Sequence, residues 1–195
     1  MMDVMIFITD FADQAVVLPV IACVALVLAA QGRGRGAVAW LGAIGATFGI
    51  ILLLKLGFMA CGTVFGPWTL RSPSGHAAAA AVVAGGLAAL VTGQRWAVLA
   101  IAVLAASVIG TSRVVLGLHS EPEVWLGAAI GVAGAVVLSW LAGPPPFRRS
   151  APLLAVVGVV AVLLHGARLP AEAAIVHAAA GALDFVPACR DNGKL

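Results

Sequence analysis

His119 and Glu123 stand four positions apart in the stretch LHSEPEV, so a helical turn brings an imidazole and a carboxylate onto one face. A neutral imidazole is nucleophilic when one ring nitrogen is free, and a carboxylate on the other nitrogen fixes the tautomer and stabilises the positive charge that develops. The same glutamate has a second reading. Ser120-Glu121-Pro122-Glu123 is a capping box, with Ser120 as N-cap and Glu123 three residues on, ahead of the apolar run VWLGAAIGV. Capping accounts for Glu123 without chemistry, but not for Arg113, His119, Lys55 and His76 on one face.

The stretch Arg71-Ser72-Pro73-Ser74-Gly75-His76 precedes the run AAAAAVVAGG and also reads two ways. Pro73 makes a turn and Ser72 or Ser74 caps the helix that follows, its hydroxyl accepting an otherwise unpaired N–H. Equally, a helix N-terminus with free N–H groups, a glycine at Gly75 allowing close backbone approach, and Arg71 nearby make an anion site suited to phosphate.

The elements that must position these groups are apolar. The 195 residues are 63% hydrophobic and only 10% charged, with a mean hydropathy of +1.12. This excludes an ordinary soluble domain and implies an integral membrane protein; a net charge of +3 gives no reason to expect a nucleic-acid partner. Apolar runs lie at 14–30, 37–54, 77–92, 96–110, 124–142 and 151–165. Several fall short of the roughly 20 residues that span a bilayer, so flanking residues must complete them. The expected fold is all-α, a single six-helix membrane bundle rich in small residues for close packing. Residues 1–13 read as an interfacial segment with no cleavable signal, 14–166 as the six-helix core, and 167–195 as a tail with a short amphipathic stretch around His177.

Arg33 and Arg35, Arg95, and Arg148 with Arg149 occupy the first, third and fifth connections, which by the positive-inside rule face the cytoplasm. Lys55, Arg71, Arg113, all eight acidic residues and both termini then lie on the other side, as expected for a bacterial inner-membrane protein with its site facing the periplasm or exterior. Cys61 and Cys189 share that side, where an oxidising compartment would allow pairing, while Cys23 reads as a small core residue. The tryptophans, Trp40 among them, read as interfacial anchors, and His165 as a packed or interfacial residue.

Pro73-Ser74-Gly75-His76, then Ser112-Arg113, five residues, His119, three residues and an acid, resembles the second and third signature motifs of the type 2 phosphatidic acid phosphatase superfamily. The resemblance implies a six-helix membrane core with a phosphatase site in the outward-facing loops. It further implies that His119 attacks phosphorus, Glu123 orients it, and His76 protonates the leaving group and then helps activate water. Lys55, Arg113, Ser74 and the Gly75 N–H would bind the phosphate oxygens, with no metal or other cofactor required. Two departures stand out. The arginine of the first motif is replaced by Gly62, so either Arg71 supplies that guanidinium or the site has a weaker demand for charge. Glu123 stands where the family normally has aspartate.

The expected substrate is a lipid phosphate or diphosphate: undecaprenyl-type diphosphate, phosphatidic acid, phosphatidylglycerol phosphate or a lipid A phosphate. A phosphotransferase would use the same residues. Other classes remain open on residues alone: a serine protease dyad at Ser74, a zinc site from His76, His119 and Glu123, or a non-catalytic lipid-phosphate binder.

Overall fold

Glycines, prolines and charged connections punctuate the apolar runs, and the helices start and stop at them. The computed structural model describes residues 2–61, 72–143, 150–170, 173–175 and 177, and every regular element among them is helical. In chain order these are α1 (Met2–Asp10), α2 (Gln14–Ala30), α3 (Gly34–Cys61), α4 (Gly75–Thr92), α5 (Arg95–Val115), α6 (Glu121–Leu141) and α7 (Ser150–Leu164).

The helices α2 to α7 coincide with the six expected apolar runs, but several extend beyond them. α3 continues six residues past Lys55, and α5 carries Arg113 in its last turn. Of the expected site residues that are described, Lys55, Gly75, His76, Arg113 and Glu123 lie within helices near their ends, and Ser74 and His119 lie in connections. The charges favour this, since an arginine suits the negative end of α5 and a glutamate the positive start of α6. Among the described residues, five helical stretches are long and apolar enough to cross a membrane: Met2–Ala30, Gly34–Phe58, Gly75–Thr92, Arg95–Val115 and Glu121–Leu141. α7 has 15 residues and is shorter than a full span, so a count of six depends on it.

α4 and α6 form the middle of the bundle, packed on each other and on α3 and α5, while α7 packs on α2 and α1 on α5. Small residues make this possible. A methyl group at Gly127 would meet the Ser74 carbonyl oxygen, one at Gly131 the Ala78 carbonyl oxygen, and one at Gly134 the Thr47 hydroxyl. The two helices therefore touch backbone to backbone, the contact that replaces the hydrophobic drive in lipid.

Trp40 is not an interfacial anchor. It is fully buried against Gly86, and its Nε1 donates to the Ile21 carbonyl at 3.0 Å. An indole N–H inside an apolar bundle needs an acceptor, and interhelical bonds of this kind contribute about 0.6 kcal/mol on average in membranes. Trp96, Trp125 and Trp140 are exposed on the bundle surface.

At the end of the bundle away from His119, Arg33 Nη2 donates to the Leu90 carbonyl at 3.3 Å and Arg35 Nε to the Leu141 carbonyl at 2.9 Å. The two arginines of the first connection thus cap the last turns of α4 and α6, satisfying carbonyls that the helices leave unpaired.

Candidate active site

α5 ends in a turn that sets the position of His119. Gly117 adopts φ +67°, Gly117 N–H donates to the Val114 carbonyl at 2.9 Å, and Leu118 N–H to the Arg113 carbonyl at 3.0 Å. This is a Schellman C-cap, and a left-handed residue is needed at its centre, which glycine supplies without a Cβ penalty. The His119 N–H also points to the Arg113 carbonyl, at 3.3 Å. The spacing between arginine and histidine is therefore the length of one capped helix end.

Glu123 then gathers the site. Its Oε2 lies 3.1 Å from His119 Nδ1 and accepts the Ser120 N–H at 2.9 Å, while its Oε1 accepts the Ser72 N–H at 2.9 Å. The capping and orienting readings of Glu123 are both realised, by one carboxylate oxygen. The glutamate main chain joins in, its carbonyl accepting the Ser74 N–H at 2.9 Å. With the carboxylate on Nδ1, the proton there faces an acceptor and the Nε2 lone pair is the nucleophilic one.

Both side chains of the pair are 7% exposed. Burial holds the His119 pKa below the usual 6.5; the bond to Glu123 opposes this, and the charges of Lys55 and Arg113 reinforce it. The ring is kept neutral by desolvation while two cations stand close enough to act on it.

Lys55 is buried, and its Nζ donates to Ser72 Oγ at 2.8 Å. Gly75 lies beside it: a methyl group there would be in ordinary contact with Lys55 Cε, at 3.7 Å. Ser74, not Ser72, is the N-cap of α4; it is fully buried and its Oγ accepts the Ala77 N–H at 3.4 Å. That placement does not favour Ser74 as an exposed protease nucleophile. His76 follows in the first turn of α4, with Nε2 3.9 Å from Asp13 Oδ2. Arg71, Gly62, Cys189 and the side chain of Cys61 lie outside the described residues, so the arginine substitution and the disulfide expectation fall there too. Among the described residues no three His, Cys, Asp or Glu side chains come together as a metal site.

Two features had no signal in the motifs. Asp13 faces His76 from the start of α2, 63 positions earlier in the chain. An apolar groove of about 470 Å³ lies between α4 and α5 and is covered by Ile8 and Phe11. Ala80, Ala84 and Leu87 line it at helical spacing below His76, and Ala105 and Ile109 line it below Arg113.

The helical bundle and its apolar spans define the class as membrane proteins, with a histidine–carboxylate pair and two cations gathered toward one end of the bundle. More narrowly, residues 56–145 match the family model of the PAP2 superfamily, and that segment of the chain is similar to it. The match spans Pro73 to His76 and Ser112 to Glu123 and begins one residue after Lys55. The family is one of phosphatases acting on phosphate esters. No curated protein and no solved structure compared with the chain gives a match.

Proposed function

We propose that this protein is a membrane phosphatase that hydrolyses a lipid phosphate or isoprenyl diphosphate through a phosphohistidine on His119. The observation that carries the reading is the buried His119–Glu123 pair, which holds a neutral ring with Nε2 as the attacking atom. In the first step the Nε2–P bond forms as the P–O bond to the leaving group breaks, and His76 gives its proton to the departing oxygen. Water then attacks phosphorus with His76 taking its proton, the N–P bond breaks, and phosphate leaves. Lys55 and Arg113 neutralise the phosphoryl oxygens, with Ser74, the Gly75 N–H and Arg71 as further donors.

A lipid substrate is supported by the groove below His76 and Arg113. Its lining is almost wholly apolar and shares helix faces with both residues, so a phosphate at the rim leaves its hydrocarbon chain in the groove. Placement of the site on the periplasmic side of a bacterial inner membrane is supported by Arg33, Arg35 and Arg95 at the opposite end of the bundle.

The test is phosphate release by purified protein in detergent from a panel of lipid phosphates and diphosphates, wild type against His119→Ala. Release by wild type and background release by the variant is the expected result. No release from any lipid, or an unaffected variant, would overturn the proposal. Trapping acid-labile, base-stable phosphate on wild type but not on the variant checks the intermediate itself.

A further inference from the structure

The turn between α1 and α2 carries a second carboxylate aimed at a site histidine. Asp13 is 8% exposed, and its oxygens divide their work. Oδ1 accepts the Ala15 N–H at 2.9 Å as the N-cap of α2, and the Leu169 N–H at 3.1 Å from the segment that follows α7. Oδ2 is turned instead to His76 Nε2 at 3.9 Å. Capping α2 requires one oxygen and is complete without the second.

The junction around Asp13 is itself tied down. Asp10 takes a two-pronged contact from Arg168, with Nε to Oδ1 at 2.9 Å and Nη2 to Oδ2 at 3.1 Å. His165 rests between the rings of Phe7 and Phe11, with centroids 4.3 and 4.4 Å away, and its Nε2 lies 2.9 Å from the Phe7 carbonyl. The ends of α1 and α7 thus clamp the turn that presents Asp13.

We infer that Asp13 is a positioning residue for His76, holding its ring for proton transfer to the leaving group as Glu123 holds His119. This rests on the acid role of His76 proposed above. At 3.9 Å the carboxylate is within ion-pair but not hydrogen-bond reach, so it orients the ring through charge and stabilises the imidazolium while it waits to donate; its removal slows only the step that needs the proton.

Leaving groups separate this from a structural role. A p-nitrophenyl phosphate departs without protonation, whereas an alkyl phosphate needs an acid. Asp13→Asn keeps an amide oxygen for the α2 cap. It is expected to lower kcat on the alkyl phosphate tenfold or more while leaving the aryl phosphate within about twofold, with KM little changed. His76→Ala should show the same pattern more strongly, and the double variant should lose no more than His76→Ala alone. Asp10→Asn, which weakens the Arg168 contact but keeps the Asp13 carboxylate, should shift the ratio between the two substrates less than Asp13→Asn does. Equal loss on both substrates in Asp13→Asn, no loss on either, or additivity with His76→Ala overturns the inference. A His76→Ala variant insensitive to leaving group overturns the acid role and the inference with it.

Discussion

The carboxylate of Glu123 accepts the main-chain N–H of Ser72 at 2.9 Å across 51 positions of sequence. That bond joins the connection before α4 to the start of α6. Because the same carboxylate reaches His119 Nδ1, the proposed nucleophile and the start of α4 are positioned by one side chain.

Glu123→Gln and Glu123→Ala therefore fail for separable reasons. Glutamine offers an amide where the ring needs a carboxylate, so the wrong tautomer is favoured and kcat is expected to fall on the order of 10⁴-fold with the fold retained. Alanine also leaves the buried Ser72 N–H without its acceptor, at about 1–3 kcal/mol, and should lower the melting temperature as well. Phosphate release and thermal unfolding in detergent, measured on both variants, check this; an equal loss of stability in the two would contradict it.

His119 should remain neutral below the point where a histidine of ordinary pKa takes its proton. Burial lowers its pKa from 6.5, and the charges of Lys55 and Arg113 assist. Imidazole NMR on ¹⁵N-histidine-labelled protein, with the His119 signal assigned from His119→Ala, measures this directly among only four histidines. A midpoint at or above 6.5 would contradict the burial account. Replacing Lys55 by Met should move the midpoint upward, because it removes one of the charges that disfavour the imidazolium.

Gly127→Ala tests how far the site depends on helix contact. The added methyl would collide with the Ser74 carbonyl, a rigid backbone atom, so α4 and α6 must part, at a cost of about 1–3 kcal/mol. Since Ser74 and Ser72 bond to Glu123 across that contact, activity should fall along with stability. Gly158→Ala in α7 meets nothing within 4 Å and should be neutral or stabilising by up to about 1 kcal/mol. Thermal melts and phosphate release on the two variants decide the matter.

Much of this was legible in the sequence because apolar runs and motif spacing are local. The six runs and the start of α2 at Gln14 follow from hydropathy, and the pairing of His119 with Glu123 from their four-residue spacing, although His119 sits just ahead of α6 rather than on it. The extension of α3 past Lys55 was not visible, since the residues that follow it are as compatible with a helix as with a loop. Trp40 misled because a tryptophan near a predicted helix end has the same local pattern whether it meets headgroups or a neighbouring glycine such as Gly86. Asp13 opposite His76, and Arg33 and Arg35 on the ends of α4 and α6, arise only when distant helices pack, and no spacing along the chain encodes them.

The groove between α4 and α5 yields the prediction that bears most on substrate choice. Ala84 lines it two helical turns below His76, far enough from the reacting atoms that its replacement leaves the phosphate site intact. Ala84→Phe fills the space a hydrocarbon chain would take. If the chain loses two or more buried methylenes, at about 0.8 kcal/mol each, KM for a long-chain phosphate should rise tenfold or more with kcat held. A short-chain phosphate of the same headgroup does not reach the groove, so its KM and kcat should match wild type. KM measured across a series of chain lengths in mixed micelles distinguishes the cases: a penalty that grows with length and then levels off locates the chain in this groove, whereas a uniform penalty, or none, places it elsewhere on the bundle.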